Sequence, residues 1–335
     1  MATIRDVAKL AGVSVSTVSL SINNPGRVGK KTLQRVQKAI MDVGYAADPV
    51  ARSLASGRSH LIGFVVGNVA DQFFGNIRRA LEAYAVERDH FVLITDSASD
   101  LEREQTLIRH LVGLKVAGLA MSPTGLNQDY VDFIDGLKIP VVCFDQKIDG
   151  LNRDFVGSNN YVAAAMLTEH LLQLGHTRIG FISGPDSLYT ARERYRGFIE
   201  TMNSAGIEVD PSLVVNGQYT RISGYESAMK LLVKRDRPTA IIGSNNTVAL
   251  SALQVIQELG LNCPDDVSLV MIDDLPWTSV ITPRITMVVQ DTKQLGEIVA
   301  SRLLRRVTSE ELANEPPQDF LLDPKFVPGN SCRKI

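Results

Sequence analysis

A chain of 335 residues with a formal net charge of −2, 44% hydrophobic residues and a mean hydropathy of +0.03 reads as a soluble globular protein with room for two or three domains; disorder and fibrous structure are excluded. No run approaches the ~20 apolar residues of a membrane span, and "MATIRDVAKLAG" carries charges where a secretion signal needs its apolar segment, so a cytoplasmic protein is expected. Three widely separated cysteines, Cys143, Cys263 and Cys332, and five histidines without paired spacing argue against a disulfide frame or a metal site, and no cofactor is expected.

The near-neutral total hides an asymmetry. Residues 1–60 hold nine Lys and Arg against three Asp and Glu, a balance of +6, which leaves −8 on the remainder. A small basic head on an acidic body is the electrostatic footprint of nucleic-acid binding. In chain order, Thr3 and Asp6 have the form of a capping box that opens a helix through Leu10, and Gly12 stops it. Ser14 can cap a second helix through about Asn23, which makes a helix-turn-helix. On that second helix Val18 and Ile22 share one face, while Leu20 is turned roughly 160–200° away at about 100° per residue. An outward leucine among serines is either a stray surface residue or part of a face that a partner covers. A third helix over Thr32–Val43 puts Leu33, Val36, Ile40 and Val43 on one stripe and ends at Gly44. "GRVGKKT" lacks the full spacing of a phosphate loop and has no preceding strand.

In "DPVARSLASGRS", Asp48 suits an N-cap, Pro49 the first helical position and Gly57 the position after the helix. The helix between them has only about two turns, shorter than the ~12–15 residues at which isolated helices persist in water. By itself the segment reads as a linker with helical bias. From Leu61 onward, "LIGFVV", "FVLITD", "VAGLAM", "PVVCFD", "RIGFIS", "TAIIG" and "VSLVMID" alternate with segments of helical length, the pattern of βα units and buried parallel sheets. No GxGxxG follows a strand and no nucleophile, base and orienting group emerge as a set, so an enzyme is not expected. Two alternatives share the body: a sugar-binding transport or sensing protein, which gives no reason for the basic head, and a nucleotide-cofactor oxidoreductase.

"MATIRDVAKLAGVSVSTVS", "GYAADPVARSLASGRSHLIGFVV" and "MIDDLPWTSVITPRITMVVQD", in that order, resemble the LacI/GalR family of bacterial transcriptional regulators, and the resemblance runs along essentially the whole chain. It implies an α/β protein: a helix-turn-helix head (1–47), a hinge helix and linker (48–60), and a body (61–335) of two doubly wound lobes like a periplasmic sugar-binding protein. Lobe one is expected at 61–158 and 290–320 and lobe two at 159–289 and 321–335, with crossings near Ser158, near Gln290 and around Phe320. A homodimer is implied, reading pseudo-palindromic operator DNA, and the lack of a heptad repeat in "DPKFVPGNSCRKI" argues against a larger coiled-coil assembly.

The implied DNA-binding set is Val15, Ser16 and Leu20 at base-reading positions, Thr17 and Ser19 suited to phosphates, then Asn23, Ala51 and Leu54. Leu54 is the apolar wedge at the centre of the operator. Strand ends and matched family positions give the effector-binding set: Phe73 and Phe74 as an apolar floor, Ser158 at a crossing, Arg194 as the gripping arginine with Arg192 as companion, Tyr219 as an aromatic wall, Asn245, and Asp273 as acceptor for ligand hydroxyls. Ser158 and Asn246 stand where relatives commonly carry aspartates. With Arg194 retained, the balance favours an acidic effector such as a sugar acid or sugar phosphate. Whether the effector releases DNA or tightens its binding stays open.

Overall fold

The computed structural model describes residues 2–23, 25–45, 59–125, 127–275, 278–313 and 315–335. The chain forms two compact units, the first ending at His60 and the second running from Leu61 to Ile335.

The first unit holds three helices, α1 (Ile4–Ala11), α2 (Val15–Asn23) and α3 (Lys30–Val43). At the start of α1 the Thr3 main-chain N–H and hydroxyl both donate to Asp6 Oδ2 at 2.8 Å. These bonds hold the Asp6 carboxyl below its ordinary pKa. Gly12 stops the helix with φ +64, a left-handed conformation open to glycine at little cost. Ser14 Oγ accepts the Thr17 N–H at 3.1 Å, satisfying a donor that the first turn of α2 leaves unpaired. Val7, Val18 and Val36 are fully buried, at about 1.5–3 kcal/mol each. Ala8, Ala11 and Ala39 complete this small core, with Ile22, Ile40 and Val43 packed against it. Leu33, expected on the stripe, is only partly buried and lies outside the cluster. Val36 and Ala39 are the buried residues that α3 contributes to this core.

In the second unit, lobe one contains β1 (Leu61–Val66), α4 (Gln72–Val86), β2 (Phe91–Asp96), α5 (Leu101–Gly113), β3 (Gly118–Met121), α6 (Gln128–Asp135), β4 (Val141–Phe144) and β5 (Asp154–Ser158). Lobe two follows with α7 (Asn160–Gln173), β6 (Ile179–Ser183), α8 (Tyr189–Ser204), β7 (Val214–Asn216), α9 (Arg221–Leu232), β8 (Ala240–Gly243), α10 (Asn246–Glu258), β9 (Ser268–Ile272) and β10 (Thr286–Val289). The chain then returns to lobe one as α11 (Thr292–Thr308), which packs along α4, and as β11 (Asp319–Leu322). It closes in lobe two with β12 (Lys325–Val327). Each lobe has a six-stranded sheet: β11-β5-β4-β3-β1-β2 and β12-β10-β9-β8-β6-β7. The two orders are equivalent, so β4 of lobe one, for example, occupies the place that β9 has in lobe two. β12 is the antiparallel member, pairing with β10.

Two apolar clusters lie in each lobe, which is why the central strands are buried along their whole length. The third crossing falls after Leu322 rather than around Phe320. The Asp319–Leu322 strand stays in parallel register with Phe155–Ser158, so Leu321 and Leu322 belong to lobe one. At the foot of lobe one, the fully buried Asp154 carboxylate accepts from Arg306 Nε at 2.6 Å, Arg302 Nε at 3.3 Å and the Gln318 main-chain N–H at 2.9 Å. Burial opposes ionisation there, but Arg306, the Gln318 amide and Arg302 outweigh it and hold the carboxyl below its ordinary pKa.

Candidate functional site

In the head, Ser16 is exposed, Val15 is 42% exposed and Leu20 is 37% exposed, while Val18 between them is sealed in the core. α2 therefore offers one face to its own core and another to solvent. Ser14 Oγ lies 2.7 Å from Ser16 Oγ and 2.8 Å from Thr17 Oγ1, which gathers three hydroxyls at the helix N-terminus. Thr17 and Ser19 are partly buried at the edge of that face. Asn23 ends α2, but its side chain, like all of Ala51 and Leu54, lies outside the described residues.

In the body, a cleft of about 600 Å³ is lined in equal parts by the two lobes, well inside the ~300–1,000 Å³ range of small-molecule sites. Lobe one contributes Phe73 and Phe74 from the first turn of α4, whose rings meet edge to face at 5.3 Å. Asp71 caps that helix, its Oδ1 accepting the Phe73 N–H at 2.9 Å. Asp145 and Gln146 follow β4. Lobe two contributes Arg194 from α8, Tyr219 from the turn before α9, Asn245 at the cap of α10, Asp273 after β9 and Gln290 after β10. Six of the eight described non-glycine residues with positive φ, among them Asp145, Gln218, Tyr219 and Asp273, line this cleft. Strained backbone collected at strand ends marks a site whose side chains are aimed rather than merely packed.

Arg194 is 3% exposed and largely committed to the protein. Its Nε donates to Asn160 Oδ1 at 2.7 Å and its Nη1 to the Ser244 carbonyl at 2.6 Å, while Nη2 lies 3.7 Å from Asp273 Oδ2. Two of the five N–H donors are therefore committed to Asn160 and Ser244, and Nη2 is paired with Asp273. Arg194 and Asp273 both belong to lobe two, so their pair organises one wall rather than bridging the lobes. Across the cleft, Gln146 Nε2 of lobe one donates to Thr190 Oγ1 of lobe two at 3.1 Å.

Two expected residues are displaced from the cavity. Ser158 is buried at the end of β5 and donates to the Leu322 carbonyl at 3.3 Å; it does not line the cleft, because β11 covers it. Arg192 donates to the Asp186 and Ser187 carbonyls and is also absent from the lining. Sequence reasoning missed Asp71, Asp145, Gln146 and Gln290. Asp145 ends "PVVCFD" as Asp273 ends "SLVMID", so the strand-end signal was present in both.

Asp71, Asp145 and Asp273 thus surround one arginine. Burial pushes the Asp145 carboxyl up to about 6; Arg194 and the Gln146 hydrogen bond oppose that shift, while Asp273 and Asp71 add to it. Burial likewise raises Asp273 and Asp71, against the pull of Arg194 on both. Among the described residues the lining thus sets three carboxyl groups against one arginine, a balance that does not favour the expected sugar acid or sugar phosphate.

Comparison with known proteins places these two sites in context. The family described as "Bacterial regulatory proteins, lacI family" matches residues 3–48, and a "Periplasmic binding protein-like domain" matches residues 168–332. The HTH-type transcriptional repressor PurR of Haemophilus influenzae (strain PittEE) is 31% identical over 336 residues, covering 100% of both chains. PurR of Pasteurella multocida (strain Pm70) is 32% identical over 316 residues, 93% of this chain and 95% of the relative. Among solved structures, the lac repressor dimer bound to operator and the anti-inducer ONPF is similar at TM-score 0.89 and 28% identity, covering 99% of each chain. The transcriptional regulator CelR in complex with cellobiose is similar at TM-score 0.75 and 26% identity, covering 99% of this chain and 100% of that one.

Proposed function

The chain belongs to the lacI family of bacterial regulatory proteins, DNA-binding repressors under small-molecule control, and we propose that it acts as a cytoplasmic homodimer whose cleft binds a polyhydroxylated effector. Ser16 and Leu20 read base edges from α2, with Val15 beside them. Thr17 and Ser19 contact phosphates, which position the helix without reading sequence. Phe73, Phe74 and Tyr219 offer flat apolar faces to a sugar ring, and Asp273, Asn245 and the newly recognised Asp145 fix its hydroxyls. The protein acts by binding and catalyses no reaction.

The observation that carries this reading is the division of the cleft lining between two lobes. A ligand held there has different contacts when the lobes approach or separate, and a ligand shifts an equilibrium only by its differential affinity for the two states. Coupling of about 1–3 kcal/mol, or roughly 5–150-fold in operator affinity, is the expected range. The test is a thermal-shift screen of the full chain against sugars and their derivatives, followed by operator titrations with each stabilising compound. A compound that binds in the cleft yet leaves operator affinity unchanged would refute the coupling.

A further inference from the structure

We propose that the effector is an amino-substituted polyol, with its protonated nitrogen held by Asp145 of lobe one and Asp273 of lobe two. This rests on the reading of the cleft as the effector site, and it starts from a repeated arrangement in the two sheets. Asp145 follows β4 and Asp273 follows the equivalent strand β9. Both have left-handed backbone, with φ +62 and +73. Each donates its main-chain N–H to the neighbouring strand, Asp145 to Val156 and Asp273 to Val288. Each accepts from a glutamine amide: Gln146 Nε2 to Asp145 Oδ2 at 2.8 Å, and Gln290 Nε2 to Asp273 Oδ1 at 2.7 Å.

Those two bonds fix which way the amides face, because a carboxylate can only accept. The Gln146 and Gln290 carbonyl oxygens therefore point away from their aspartates, and both are buried without a hydrogen-bond partner. Gln146 is 8% exposed and lines the cleft. A buried acceptor left unpaired has lost its hydration with nothing in exchange. A ligand that brings donors to both lobes at once would give both oxygens a partner.

Charge separates the kinds of donor. With Asp71, Asp145 and Asp273 ionised and Arg194 the one cation among the described residues of the lining, those residues carry −2. A neutral sugar leaves that charge in place as the lobes exclude water, and an anion raises it to −3. An ammonium group lowers it to −1 and offers three donors to these acceptors, with no acceptor of its own that needs a donor. Placed between carboxylates of opposite lobes, it relieves the repulsion that opposes their approach.

The test is calorimetric titration of the full chain with glucosamine, galactosamine, mannosamine and 1-amino-1-deoxyhexitols, each against its parent neutral compound, its N-acetyl derivative and the matching hexonate. The expected result is that at least one amine binds about 10- to 100-fold tighter than its parent, as charge-assisted hydrogen bonds predict, and that N-acetylation removes the gain. Asp273→Asn should bring amine and parent to similar affinities. If no amine binds, or if a neutral sugar or hexonate binds as tightly as its amine, the proposal is overturned. A neutral sugar whose binding is lost in Tyr219→Ala would overturn the amine while leaving the effector site intact; binding indifferent to both Tyr219→Ala and Asp273→Asn would overturn the site itself.

Discussion

The position of Tyr219 depends on a glycine 35 residues earlier in the chain, and this dependence can be measured. A Cβ built on Gly184 would lie 2.2 Å from Tyr219 Cζ, 2.4 Å from Cε2 and 2.6 Å from Cε1. Ordinary contact begins near 3.4 Å, so Gly184→Ala requires the ring to retreat by at least 1.2 Å. Tyr219 has little room to adapt, since both it and Gln218 already occupy left-handed backbone at φ +54 and +47. Overpacking of this kind typically costs ~1–3 kcal/mol, and we expect the loss to appear mainly in effector affinity, because the ring forms the cavity wall. Effector titration of the wild type, Gly184→Ala, Tyr219→Ala and the double variant forms a closed cycle. The alanine at 184 should weaken binding by roughly 5- to 100-fold in the wild-type background and be nearly silent when Tyr219 is already absent, with operator binding by the effector-free protein unchanged throughout. An equal effect of Gly184→Ala in both backgrounds would refute the argument that the tyrosine ring is what the added methyl displaces.

Three further outcomes are expected. Leu20→Ala should leave the melting temperature unchanged, because the side chain lies outside the head core, but should reduce preference at one base pair of each operator half-site by ~1–3 kcal/mol in a systematic operator-variant assay. Asp154→Asn should lower stability in chemical unfolding by several kcal/mol, on the order of 3–5 as for a broken buried ion pair, because Arg302 and Arg306 lose their shared carboxylate; its low native pKa means that the wild-type contribution is present above the unfolded value and is lost as pH falls through the folded one. Asp145 has the opposite sign: with a folded pKa raised from 3.8 to about 6, its favourable contribution is full below 3.8 and disappears as pH rises through 6. Effector-free Asp145→Asn should therefore gain stability relative to wild type between pH 4.5 and 7, by up to ~3 kcal/mol at 1.36 kcal/mol per unit, and flat difference curves over that interval would contradict the burial argument.

The features legible in the sequence were those that neighbouring residues determine. Thr3 with Asp6, Gly12, Ser14 and Gly44 marked the helix ends of the head, because caps and left-handed stops depend on the residue in place and a few hydrogen bonds within one turn. The outward turn of Leu20 followed from helical period alone. The β-rich runs marked seven of the twelve described strands, β1–β4, β6, β8 and β9, and "SLVMID" placed Asp273 at a strand end. The membership of the cleft was set by contacts between residues far apart in the chain. Ser158 left the site because β11, arriving more than 160 residues later, covers it and takes its hydroxyl bond. Arg194 gives two of its N–H donors to Asn160 and Ser244. The three carboxylates face a single arginine only because two separately wound sheets direct equivalent strand ends into one cavity. Hydrogen bonds and charges act through space, so the net charge of a cavity becomes definite only when the tertiary fold fixes which side chains share it.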